Sequence, residues 1–261
     1  MLRIVAFAVG FGASLGAVVQ DEITACAKFG VPGLPCLEVP RCPSRAGIVD
    51  IRLLSSGAIP SQETTAHSTV LCHDETSLTI EVELNQQRVA SSMNNNPYTT
   101  CNSAIYNLDV FEMFIAPGLE APHCYSEIDI SLTGVPFFSG IFNPNLNHTG
   151  ISNFLIDCTA SGIDYRVSNS RVQENQSWRA SLKIPLALIN SPTGCPLQPS
   201  PPTSPPSLYR ANFFRINSKV ETGKQDHKCS VDTCDYLAFS PNGVDPPSFH
   251  EPKAFATLVF V

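Results

Sequence analysis

Residues 106–134 read YNLDVFEMFIAPGLEAPHCYSEIDISLTG. The segment decides the fold class. Its first apolar run, residues 109–116, is dense in Val, Phe, Met and Ile, and Pro117-Gly118 stops it. Its second run, residues 125–132, alternates strictly. Ser126, Ile128, Ile130 and Leu132 share one side, while Tyr125, Glu127, Asp129 and Ser131 share the other. Period-two alternation between turn residues predicts a strand with one buried face. The first run has two apolar faces, yet Glu112 interrupts the one carrying Val110 and Phe114. A carboxylate in a strand buried on both sides requires a partner, because an unpaired buried charge is costly. That partner is either a side chain or a ligand.

Working outward, short strand patterns recur on both sides of this pair. Leu78, Ile80, Val82 and Leu84 alternate with Thr79, Glu81 and Glu83; Trp178, Ala180, Leu182 and Ile184 alternate with Arg179, Ser181 and Lys183. Further strands are expected over 48–54, 68–72, 136–142, 163–167, 209–217 and 255–261, with one helical turn over 185–189 opened by Pro185. Asn94–Pro97, Asn143–Asn145 and the Pro/Ser-rich residues 196–207 read as loops. No long segment has a helical period. Many short strands between turn signals predict an all-β chain, a two-sheet antiparallel β-sandwich of jelly-roll type.

The chain has 261 residues, 10 of them Cys, and a formal net charge of -7. The start, with Arg3 ahead of an apolar run and small residues Ser14 and Gly16, predicts a secretory leader over 1–16. An even cysteine count in an exported chain predicts disulfides, with Cys229 and Cys234 the first pair expected. The rival use of those two, a metal site with His227, Asp232 and Asp235, has the wrong spacing for a zinc knuckle. Residues 17–44, rich in Cys, Pro and Gly, read as a stapled irregular arm, leaving 45–261 as one domain. Without a basic patch, nucleic acid is not an expected partner. No stretch after the leader is apolar enough to span a bilayer. Sequons at Asn147 and Asn175 mark candidate glycan acceptors.

Seven segments in order resemble the family 9 carbohydrate-binding modules and the wider DOMON-like sandwiches: HDETSLTIEVEL (73–84), DVFEMFIAPG (109–118), YSEIDISLTG (125–134), SWRASLKIP (177–185), YRANFFRI (209–216), FSP (239–241) and FATLVF (255–260). The resemblance implies a sandwich that binds a polysaccharide or oligosaccharide without cleaving it, beside carbohydrate-active enzymes. Two aromatic rings would clamp a sugar. Tyr106 matches the first and Phe239 stands where the family often carries Trp. Trp178 falls at a core position.

The candidate saccharide contacts are therefore Tyr106, Glu112, Phe239, Asn143, Asn212 and Arg215. Tyr98, in the same turn-prone stretch, is a second aromatic candidate. Glu112 has a structural alternative, pairing with Arg210 or Arg215. Glu127 and Asp129 read as a solvated strand face or as ligands for a structural calcium ion; no cofactor is required. As a glycosidase pair, those two carboxylates lack the opposed placement that cleavage needs. A haem-binding reading would use Met93, Met113 or His123; Met113 alternates with Phe111 and Ile115, which points to core packing.

Overall fold

The structure, a computed structural model, describes residues 24–44, 47–60, 68–85, 96–170, 177–197, 207–218 and 228–261. Strands β2 (Gly47–Asp50), β4 (Ser68–His73), β5 (Ser77–Asn85), β10 (Asp164–Ser170) and β11 (Ser177–Pro185) form one sheet, in the order β10-β11-β5-β4-β2. The other sheet runs β1 (Cys36–Val39), β14 (Ala256–Phe260), β12 (Ser207–Ser218), β6 (Val110–Pro117), β7 (Cys124–Ser131), β8 (Pro136–Phe142), β9 (Ser152–Leu155). Two short strands, β13 (Cys234–Ala238) and β3 (Leu53–Leu54), extend it beyond the second half of β12. All pairings are antiparallel except β1 with β14. The predicted two-sheet sandwich is the fold observed.

Side-chain alternation builds the interior. In the β5–β11 pair, Leu78 faces Ile184, Ile80 faces Leu182, Val82 faces Ala180 and Leu84 faces Trp178. Each pair drops apolar surface between the sheets, where Phe111, Met113, Ile115, Ile128, Ile130, Phe138 and Phe213 meet it. The intervening pairs face outward; Arg179 bridges Glu83 at 2.9 Å. Helix α1 (Ala25–Phe29) precedes β1, and α2 (Leu186–Asn190) is the single turn expected after Pro185.

Two expectations need correction. Residues 125–132 are not half-buried, since every residue of β7 is buried on both faces. The outer face of the large sheet carries a second apolar cluster: Ile105, Val110, Phe114, Tyr125, Phe137, Phe214, Phe249 and Phe255. Loops cover that face where solvent was expected. The arm of residues 17–44 is stapled by Cys26–Cys36 as anticipated, but it also supplies β1, whose Val39 is fully buried in the main core. Cys229 and Cys234 form the disulfide expected first, which leaves neither as a metal ligand; His227 lies outside the described residues. Cys42–Cys72, Cys101–Cys158 and Cys124–Cys195 complete the pairing, and no cysteine is free. The proposed leader, Met93, Asn175 and most of the 196–207 loop also lie outside the described residues. No helix among the described residues is long and apolar enough to cross a membrane.

Candidate functional site

The register of the large sheet writes the site. Phe214 on β12 stands opposite Glu112 on β6, Glu112 opposite Asp129 on β7, and Asp129 opposite Phe137 on β8. The adjacent row on the same face is Asn212, Phe114, Glu127 and Ser139. Directly opposed side chains in such ladders sit within contact distance. Glu112, Glu127 and Asp129 thus converge, with one oxygen from each lying within 4.8 Å of the others. They are 2%, 4% and 0% exposed, so what reaches them must be small.

Burial dominates their chemistry. Desolvation raises Glu112 well above the carboxylate range, and the charge of Glu127 adds to it. Asp129 rises for the same reasons, and Glu127 is pushed up to about 8. Glu127 and Asp129 are close enough to share a proton. Apart from that shared proton, Glu112 Oε1, Glu127 Oε2 and both Asp129 oxygens have no hydrogen-bond partner among the described residues. Each such group carries a desolvation cost of order 1–3 kcal/mol, more when charged.

Tyr106 lies in the short 3-10 turn Ile105–Asn107 that leads into β6. The residue is 42% exposed, and its ring packs T-shaped against Phe137 at 5.4 Å between centroids. Its phenol is raised by partial burial and then by the charges of Glu127, Tyr98, Asp129 and Glu112; Phe137, on which the ring packs, is the register partner of Asp129. The loop is well held. Asn102 adopts a left-handed conformation (φ 60°), receives a hydrogen bond from Phe138 N–H at 2.9 Å and donates to the Ile156 carbonyl at 2.8 Å. Cys101–Cys158 ties the loop to the far side of β9, and Cys229 N–H donates to the Asn107 carbonyl at 2.8 Å. Tyr98 accepts from Asn107 Nδ2 at 3.4 Å. Tyr236 approaches from β13, its phenol raised by burial and then by Glu112.

The remaining candidates fall elsewhere. Arg215 stands opposite Phe111 and lies on the inner face, away from Glu112; Asp109 and Asp235 are its charged neighbours. Arg210 shares the outer face but donates to the carbonyls of Phe255, Leu119 and Lys253. Neither alternative Glu–Arg pair forms. Asn212 spends its amide on Ser240 and on the Phe213 N–H. Asn143 is fully buried and binds Tyr125 Oη, the His250 carbonyl and the Asn147 N–H. Phe239 packs against the inter-sheet core, edge-on to Phe213, and does not face Tyr106. Met113 is buried between the sheets, and the half-buried His123 bonds the Asn143 carbonyl through Nδ1. Asn147 lies in a surface turn, accepting from Thr149 N–H and Oγ1.

Sequence reasoning read Glu127 and Asp129 as a solvated face or as calcium ligands, left them out of the saccharide contacts, and overlooked Phe137 and Tyr236. The signal available was the second apolar face of β6: a strand buried on both sides obliges its neighbour β7 to be buried as well. A separate groove of about 590 Å³ on the smaller sheet, lined by Glu81, Glu83, Arg166 and Arg179 among others, has no aromatic lining residue. It offers a sugar ring no flat apolar platform.

No family model matches the chain. An extracellular protein of Arthroderma benhamiae is 27% identical over 234 residues, covering 87% of this chain and 91% of that protein. Among solved structures, a candidate carbohydrate-binding protein from Bacteroides uniformis superposes with a TM-score of 0.60 at 16% identity, over 89% of this chain and 100% of that one. The two share one fold. Family 9 carbohydrate-binding modules from Caldicellulosiruptor kristjanssonii, in complex with cellotriose and with glucose, align less closely. Their TM-scores are 0.45 and 0.48, each at 11% identity, covering 86% and 87% of this chain and 93% and 95% of theirs.

Proposed function

We propose that this protein is a secreted, non-catalytic carbohydrate-binding protein that acts beside polysaccharide-degrading enzymes and holds a saccharide against Tyr106. The observation that carries the reading is a part-exposed aromatic ring held against Phe137, whose neighbour across the sheet, Asp129, belongs to a cluster of buried acceptor oxygens. A pyranose ring offers an apolar C–H face to the tyrosine and hydroxyl donors to carboxylates. Tyr98 and Tyr236 supply further amphipathic surface of the kind that suits a half-wet site. The secreted location rests on the leader pattern, the five disulfides and the extracellular relative. Hydrolysis is not what the geometry favours. The carboxyl groups lie side by side in one sheet floor, where a hydroxyl fits but a glycosidic bond flanked by two acids does not.

A glycan array followed by calorimetry on the mature chain tests this. Tyr106→Ala is expected to weaken binding by roughly 1–3 kcal/mol, the range for one packed aromatic contact. Tyr106→Phe keeps the ring face and costs less. Absence of binding to every gluco-, xylo- and manno-configured glycan would remove the proposal. So would a Tyr106→Ala protein that melts early yet binds normally.

A further inference from the structure

Three observations converge on the floor of the large sheet's outer face. Glu112, Glu127 and Asp129 each present an oxygen within 4.8 Å of the other two. Four of their oxygens are buried and have no hydrogen-bond partner among the described residues. Phe114, Phe214 and Phe137 wall the cluster in register, so water does not solvate it freely. The two arginines of the neighbouring strand β12 are committed elsewhere, Arg215 on the opposite face and Arg210 to backbone carbonyls.

We propose that Glu112, Glu127 and Asp129 together bind one divalent cation of the calcium class. Calcium takes only oxygen ligands, at 2.3–2.6 Å, so two ligands on opposite sides of one ion are about 4.8 Å apart. The trio's oxygens lie within that limit, so one ion can reach all three. Three carboxyl groups can offer up to six oxygens, mono- or bidentate, within the range calcium accepts. Magnesium fits less well, because it demands near-ideal octahedral geometry and gives up its waters reluctantly, whereas this site is dry. The cation supplies the compensation that the surrounding phenylalanines cannot. Without it, the charged trio raises the desolvation problem that buried carboxylates meet when unpaired.

The experiment uses the mature, disulfide-bonded chain, stripped with chelator, at pH 8 and with no saccharide present. Calcium chloride and magnesium chloride are titrated by calorimetry, and melting is followed with and without each. The expected result is one calcium per chain, weaker or undetectable magnesium binding, and a melting temperature raised by roughly 5–10 °C at a hundredfold excess over Kd. Glu112→Gln, Glu127→Gln and Asp129→Asn should each weaken calcium at least about tenfold. Their melting in chelator should match or exceed that of the unaltered protein, since each replaces a buried acid by a neutral isostere. No saturable binding up to about 10 mM, beyond the weak limit of extracellular calcium modules, overturns the proposal. Calcium binding that all three variants leave unchanged also overturns it. Because no sugar is present, this outcome is independent of whether Tyr106 clamps a saccharide.

Discussion

Raising the pH from 6.5 to 8 should destabilise the cation-free protein, and the size of the effect follows from two buried groups of opposite sign. Burial lifts Glu127 from 4.5 to about 8. Between those values the folded chain holds a proton that the unfolded chain has released, so stability falls as pH rises. Burial lowers His250 from 6.5 to about 4. Between those values the unfolded chain holds the extra proton, so stability rises with pH. Each full proton difference is worth about 1.4 kcal/mol per pH unit. From about pH 4.5 to 6.5 the two slopes oppose and nearly cancel. Above pH 6.5 the unfolded His250 loses its remaining charge and its opposing slope fades, so the Glu127 slope dominates and gives a net loss of roughly 1 kcal/mol by pH 8. Glu112 and Asp129, raised in the same direction, add to that loss. Arg215 and Tyr125 titrate above the window and Asp74 below it. The assay is urea unfolding of the chelator-treated, disulfide-intact protein at several pH values, beside Glu127→Gln. The variant should show a shallower fall above pH 6.5 and exceed the unaltered protein in stability at pH 8. Stability that is flat or rising from pH 6.5 to 8, or an identical slope in Glu127→Gln, would refute the reasoning.

Other perturbations separate scaffold from site. Asn212→Ala should cost roughly 2–4 kcal/mol, because it strips buried partners from both Ser240 backbone groups and from Phe213 N–H while leaving glycan affinity in the folded fraction unchanged; chemical unfolding with calorimetry checks both. Replacing Cys101 and Cys158 together by Ser opens a bridge of sequence separation 57 and should cost about 4 kcal/mol by the chain-entropy relation, read by denaturant titration; it should also weaken binding by freeing the Tyr106 loop. Gly140→Ala should destabilise by at least about 1–3 kcal/mol, since a methyl there collides with the backbone of Thr193, and its melting curve reports this directly.

By itself, the sequence determined the sandwich. Leu78 to Leu84 and Trp178 to Ile184 alternate with the period of a pleated strand, and that period alone dictates which side chains enter the core. It likewise determined that Glu112 is anomalous and that Tyr106 stands in a turn beside it. Strand order and the covering of the outer face were decided only by the tertiary structure. Residues 36–39 alternate too briefly to announce a strand, and β1 exists because the β14 edge offers it unpaired backbone groups. Glu127 and Asp129 look solvated along their own strand. They are buried because β6, β8 and the loops bearing Tyr106 and Phe249 close over them, contacts made by residues distant in the chain. For the same reason Arg215, one pair along the ladder from Glu112, lies on the opposite face of the sheet. Local periodicity chooses a face, but only long-range pairing determines what that face meets.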